Sequence, residues 1–260
     1  MRLPRLAQIP PVFLFLLSGI ACACNSSAPA PSPAPAASAA KPAAQPAPLE
    51  YLERSSGGAR ANEPLPLLVA MHGLGDRPEA FGELYAGFAG KARIVLLRAP
   101  DPWGDGFSWF PFRANDGDEL RSRGIATAAE RVVTMLGVLE ARHPSKGKPI
   151  VTGFSQGGML SFAIAARHPG RVRAALPIGG VLPPPLWPGL DAGRPAVRII
   201  ALHGETDDLV PLAPTRAGVD ALHARGFDAR LETFPAVGHR IPAPLRTRYF
   251  ELLREELERP

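Results

Sequence analysis

A chain of 260 residues that is 46% hydrophobic and 20% charged, with a mean hydropathy of +0.02, has the balance of a globular protein and excludes a largely disordered or fibrous one. Its formal charge of +5 comes from 29 basic residues scattered among 24 acidic ones, with no long run of one sign, which argues against a nucleic-acid-binding surface. One apolar run alone could meet a bilayer, and it lies at the N-terminus, so a multi-span helical membrane protein is excluded.

Residues 1–24 have a distinct layout. Arg2 and Arg5 open a positive segment, residues 9–20 form an apolar centre, and Ala21-Cys22-Ala23 is a small-residue exit. That is the order of a secretory signal peptide, cut after export. The centre is shorter than the roughly 20 residues of a spanning helix, and Pro10 and Pro11 interrupt it. Cys22 and Cys24 are the only two cysteines, so the chain beyond them can form no internal disulfide. A cysteine just after the apolar run resembles the lipobox of bacterial lipoproteins, in which the thiol is acylated. The resemblance implies an envelope protein attached to the membrane through Cys22 or Cys24; simple cleavage after Ala23 implies a secreted or periplasmic one. Residues 25–48 are almost entirely Ala, Pro and Ser, with Lys41 as the one charge. They cannot bury enough apolar surface to offset conformational entropy and read as a disordered linker, so the folded domain is expected over 49–260.

From there strand and helix patterns alternate. Apolar runs at 65–71 and 92–97 read as strands, and 119–142 shows helical spacing through Leu120, Ala128, Val132, Leu136 and Leu139. Residues 149–154 form a short strand and 157–167 a helix of small and apolar side chains. Strands follow at 174–178, 197–203 and 229–234, with a helix over 213–225 between the last two and an amphipathic one over 244–258. Continuous apolar strands alternating with helices imply an α/β fold, a single domain with a mainly parallel central sheet covered by helices on both faces. In such sheets the active site lies at the carboxyl ends of the strands.

The most informative stretch is Gly153-Phe154-Ser155-Gln156-Gly157-Gly158. It is Gly-x-Ser-x-Gly placed directly after a strand and before a helix, a turn sharp enough to expose the Ser155 hydroxyl while Gly153 and Gly157 keep its flanks free of bulk. A serine at its free pKa is a poor nucleophile and needs a base, which in turn needs an orienting acid. Among the six histidines, His143 and His168 precede prolines at helix ends, His223 lies on a polar helix face, and His72 and His203 end strands. His239 alone sits in a loop after the last strand and downstream of every candidate acid, as the order Ser, acid, His requires. Asp207, Asp208 and Glu205, in the loop after the 197–203 strand, can each supply the acid on spacing alone.

These motifs together resemble the phospholipase/carboxylesterase family of α/β-hydrolases, which includes acyl-protein thioesterases and bacterial carboxylesterases. His72-Gly73-Leu74-Gly75-Asp76 is similar to its HGLGD box, residues 153–158 to its GFSQGG elbow, residues 203–211 to its HGxxDxxVP loop, and Gly238-His239 to its terminal GH. The resemblance implies an α/β-hydrolase fold and a catalytic set of Ser155, Asp207 and His239. It also implies an oxyanion hole from the backbone N–H groups of Leu74 and Gln156. The aromatic segment Gly106-Phe107-Ser108-Trp109-Phe110 broadly resembles the family's Trp-Phe segment, and Trp109 and Phe110 are expected to line an acyl pocket.

The expected function is a serine carboxylesterase cleaving small-molecule or lipid esters of short to medium acyl groups, with no cofactor, no metal and no nucleic-acid partner. A lysophospholipase or acyl-thioesterase, and an exported esterase releasing aromatic acids from polymers, are the alternatives within hydrolases. A surface-anchored binding module that keeps the fold without the chemistry is the alternative outside them.

Overall fold

The computed structural model describes residues 47–60, 63–112, 117–190 and 193–259. The expected signal peptide, both cysteines and nearly all of the expected linker lie outside the described residues. The described residues belong to one compact unit.

The apolar runs become strands of a seven-stranded sheet in the order β1-β3-β2-β6-β7-β8-β9. The strands are β1 (Tyr51–Ser55), β2 (Leu67–Met71), β3 (Arg93–Leu97), β6 (Ile150–Phe154), β7 (Ala174–Ile178), β8 (Arg198–Gly204) and β9 (Asp228–Phe234). A separate hairpin pairs β4 (Asp101–Trp103) with β5 (Gly106–Ser108). β1 runs antiparallel to β3, and the other pairings in the large sheet are parallel, as the continuous apolar runs imply.

β2, Leu-Leu-Val-Ala-Met, is buried at every position because both of its faces are covered. Val69 and Met71 belong to one core with α2 (Asp118–Arg142), α3 (Gln156–Arg167) and α4 (Leu212–Ala224). Leu68 and Ala70 belong to the other, with α1 (Pro78–Gly82) and α5 (Ala243–Glu258). The buried stripe of α2 runs through Ile125, Ala128, Ala129, Val132, Met135, Leu136 and Leu139. Leu120, expected on that stripe, is instead 52% exposed, because it lies in the first turn, before the helix reaches the sheet.

β1, β4, β5 and α1 extend beyond the expected elements. β1 reads Tyr-Leu-Glu-Arg-Ser and is half exposed at the sheet edge, so it carries no continuous apolar run. Beneath β6 a chain of buried hydroxyls ties the sheet to α5: the Tyr85 and Tyr249 hydroxyls lie 2.9 Å apart, Tyr249 lies 2.9 Å from Thr152 Oγ1, and Thr152 donates to the Leu176 carbonyl at 2.7 Å. Burial pushes both tyrosines well above the ordinary phenol pKa, keeping them neutral donors.

The register sets Met71 beside Gly153 and Gly153 beside Pro177. The chain therefore leaves the adjacent strands β2, β6 and β7 along one rim of the sheet. The loops leaving that rim carry most of the residues singled out in the sequence.

Candidate active site

β6 ends at Phe154 and α3 begins at Gln156, leaving Ser155 to turn the chain. Its backbone sits at φ 54° and ψ −115°, a conformation that costs a non-glycine residue on the order of 1–3 kcal/mol. The surroundings hold it there. The Ser155 N–H donates to the Ile178 carbonyl and its carbonyl accepts the Met159 N–H, each at 2.9 Å. The two glycines flanking the turn are required by contact rather than by flexibility: a Cβ at Gly157 would lie 1.9 Å from the Met71 carbonyl oxygen, and one at Gly153 would lie 2.5 Å from it.

His239, in the loop after β9, gives its Nδ1–H to Asp207 Oδ2 at 2.7 Å. That bond fixes the neutral tautomer and leaves Nε2 as an acceptor. The imidazole packs against the Phe154 ring with centroids 4.6 Å apart. Asp207, in the loop after β8, is 1% exposed at its side chain, and its other oxygen, Oδ1, accepts the N–H groups of Leu209 and Val210 at 3.1 and 2.8 Å. Of the three acids that spacing leaves open, Asp208 and Glu205 are exposed, and Glu205 accepts the Thr233 hydroxyl instead.

His203 lies beside Asp207, its Nε2 3.6 Å from Oδ2; the other four histidines lie elsewhere. His143 and His168 cap α2 and α3 near Glu53 and Glu130, and His223 is exposed on α4. His72 is buried. Its Nδ1–H donates to the Gly73 carbonyl at 2.7 Å and its Nε2 accepts the Ala99 N–H at 3.2 Å, while burial holds its pKa below the ordinary value and keeps it neutral.

The loop after β2, which carries Leu74, is clamped by the β4–β5 hairpin. Gly75 N–H donates to the Phe107 carbonyl at 2.9 Å, and Phe107 N–H returns to the Asp76 carbonyl at 3.1 Å. Among the described residues no hydrogen bond uses the Leu74 N–H. Gln156 opens α3, so its N–H has no acceptor within the helix. Both residues, with Ser155 and His239, line one cavity of about 370 Å³. The two residues whose amides lack a partner thus border the same space as the serine and the imidazole.

Trp109 and Phe110 do not line that cavity. They are 3% and 2% exposed and belong to the core: Trp109 lies against His72 with ring centroids 5.4 Å apart and gives its indole N–H to the His72 carbonyl at 2.9 Å. The apolar wall of that cavity is formed instead by Phe112, Met159, Leu209 and Val210, with Leu74 and Phe154. The same four residues also line a second apolar cavity of about 320 Å³, which continues past Val181, Leu182, Trp187 and Ala217.

The sequence reading also missed the Gln156 side chain. Its Oε1 accepts the Trp109 N–H at 3.0 Å and its Nε2 donates to the Phe110 carbonyl at 3.2 Å, tying the start of α3 to the aromatic loop. Among the described residues no group of three or more His, Cys, Asp or Glu side chains is arranged to hold a metal ion.

The family model for phospholipases and carboxylesterases matches residues 58–245. Esterase YpfH of Escherichia coli (strain K12) is 27% identical over 183 residues, covering 67% of this chain and 76% of its own. Among solved structures, the crystal structure of esterase PE8 aligns with a TM-score of 0.69 at 26% identity, over 80% of this chain and 99% of that one. Zea mays acyl-protein thioesterase 2 aligns with a TM-score of 0.63 at 20% identity, over 80% and 99% of the two chains; that likeness is one of fold.

Proposed function

The chain belongs to the phospholipase/carboxylesterase family of α/β-hydrolases and is a carboxylic ester hydrolase; on that premise we propose that it cleaves its substrates through an acyl-enzyme formed on Ser155. The observation that carries this reading is the 2.7 Å bond from His239 Nδ1 to the buried Asp207 Oδ2, on the wall of the cavity that Ser155 also lines.

Ser155 Oγ attacks the ester carbonyl carbon as His239 Nε2 takes the hydroxyl proton. Asp207 holds the imidazole in the required tautomer and stabilises it once charged. The carbonyl oxygen, now an anion, is held by the Leu74 and Gln156 N–H groups; losing one such donor typically costs about 2.7–4 kcal/mol of transition-state stabilisation. Collapse breaks the bond to the alcohol oxygen, which leaves with the proton from His239. Water, deprotonated by the same histidine, then attacks the acyl-enzyme and restores Ser155.

The acyl group extends from Ser155 along Phe112 and Met159 toward the second cavity, whose walls, apolar apart from Asp118 and Arg121, suit a short to medium chain. A fluorophosphonate probe tests the reading, since it reacts only with an activated serine. Wild-type protein is expected to label and to hydrolyse p-nitrophenyl butyrate, and Ser155→Ala to do neither; full esterase activity in Ser155→Ala would show the assignment to be wrong. Export through residues 1–24 with lipid attachment at Cys22 or Cys24 remains a proposal from the sequence, tested by mass spectrometry of the mature N-terminus.

A further inference from the structure

His203 takes no part in the steps above, yet it is among the most enclosed polar groups near them. It lies in β8, four positions before Asp207, and is 1% exposed. Its Nε2–H donates to the Val210 carbonyl at 2.7 Å and lies 3.6 Å from Asp207 Oδ2, the oxygen that accepts from His239. The N–H of the same Val210 donates to Asp207 Oδ1 at 2.8 Å. The strand end, the valine peptide and the carboxylate thus close a ring of contacts around the aspartate. His203 Nδ1 is buried with no partner among the described residues, so the imidazole is tied to the acid loop through Nε2. The neighbouring backbone is equally confined: a Cβ at Gly204 would lie 2.1 Å from the Val237 carbonyl oxygen, in the segment that leads to His239.

Resting on the reading of Ser155, Asp207 and His239 above, we propose that His203 is a positioning residue for that reaction. Its Nε2–H pins the Val210 carbonyl and so holds the acid loop with Asp207 Oδ2 directed at His239. The part of the loop before Asp207 is fastened separately, by the Glu205 N–H to the Phe234 carbonyl at 3.0 Å and the Thr206 N–H to the Val237 carbonyl at 3.1 Å; the His203 tie acts on the part after it, where Asp208 and Leu209 are exposed. The titratable groups facing Asp207 are His203 on β8 and His239 on the loop after β9. Burial is the main cause holding His203 below its ordinary pKa. It therefore stays neutral, giving the loop a proton donor that does not compete, as a cation would, with the charged His239 for the carboxylate.

Three substitutions test this. His203→Gln carries an amide N–H at about the reach of Nε2, His203→Asn ends one methylene short, and His203→Leu fills the space with no donor. On p-nitrophenyl butyrate the Gln variant is expected to stay within about fivefold of wild type, the worth of roughly one hydrogen bond. The Asn and Leu variants should lose on the order of 10²-fold in kcat with KM little changed, the scale of a misplaced catalytic group.

The contrast between Gln and Asn decides the matter even where the Leu variant does not fold. Equal kcat in those two, or a loss in the Asn variant that falls on KM and leaves kcat unchanged, overturns the proposal. Asp207→Asn, measured alongside, separates this from the underlying reading: undiminished kcat there means the acid itself is misassigned. A large loss in Asp207→Asn together with equal His203→Gln and His203→Asn variants refutes the positioning role alone.

Discussion

The indole N–H of Trp109 reaches the carbonyl of His72 at 2.9 Å, so a core aromatic holds the loop that carries the Leu74 amide. Trp109→Phe keeps an apolar ring and removes the donor, leaving a buried carbonyl unpaired at a cost of about 1–3 kcal/mol. The expected outcome is a lower urea midpoint at unchanged m-value, together with a kcat reduced on the order of tenfold because the Leu74 amide, the donor proposed for the oxyanion, shifts. Paired urea titrations and steady-state kinetics check both halves.

Gln156→Leu should cost more than its modest change in volume suggests. The substitution orphans the Trp109 N–H, at a cost of about 1–3 kcal/mol for a buried unpaired group, while the Phe110 carbonyl loses one of two donors and keeps the Ser108 hydroxyl at 2.7 Å. Chemical denaturation monitored by tryptophan fluorescence measures the loss. A variant as stable as wild type would mean that the side-chain amide is not the tie described above.

A methyl group at the strand–helix turn should be intolerable. In Gly157→Ala the new carbon meets the Met71 carbonyl oxygen at 1.9 Å, backbone against backbone, so neither side can yield cheaply. Little soluble, active protein is expected. Gly170→Ala, where a Cβ meets nothing within 4 Å, is the control and should behave as wild type in yield and thermal melting.

Stability should fall on acidification below about pH 6.5, the ordinary histidine value. His72, His143 and His203 all have folded pKa values below it, with burial the leading cause. Above that pH both folded and unfolded states leave them neutral and no penalty exists. Below it the unfolded chain binds protons that the folded one refuses, so stability drops with a slope of up to about 1.4 kcal/mol per pH unit for each histidine engaged. Urea unfolding between pH 7.5 and 5 in wild type and in His72→Gln, which lacks one such group, reads the difference in slope.

Acyl-chain selection should depend on α4. Ala217 is exposed on that helix and lines only the second cavity, so Ala217→Phe narrows it without disturbing the core. Activity on p-nitrophenyl octanoate is expected to fall at least tenfold, the scale on which a pocket discriminates chain length, while acetate hydrolysis stays within about twofold. Equal losses on both esters would place the acyl chain elsewhere.

How much of this was legible in the sequence depended on whether a feature is local. β2 and β7 were readable because strands covered on both faces are apolar throughout, and β6 because Thr152 is its one polar side chain. β1 was not, because Glu53 and Arg54 lie on an exposed edge, and the five residues of α1 are too few for a helical period to emerge. The Ser155 turn was visible because its glycines and flanking elements adjoin it in the chain, and His239 was chosen by its order. Which of Trp109, Phe110 and Phe112 faces the cavity was not visible: all three are aromatics of one loop, and the inward pair is selected by His72, Gln156 and α2, which come from distant parts of the chain.

The second cavity is walled by the segment around Val181 to Trp187 and by the outer side of α4, neither of which supplies a group to the proposed bond-breaking steps. With the acyl chain proposed to lie there, changes in diet are uncoupled from changes in chemistry. A lineage carrying this scaffold can drift toward bulkier or slimmer esters through these walls while the hydrolytic apparatus is inherited intact.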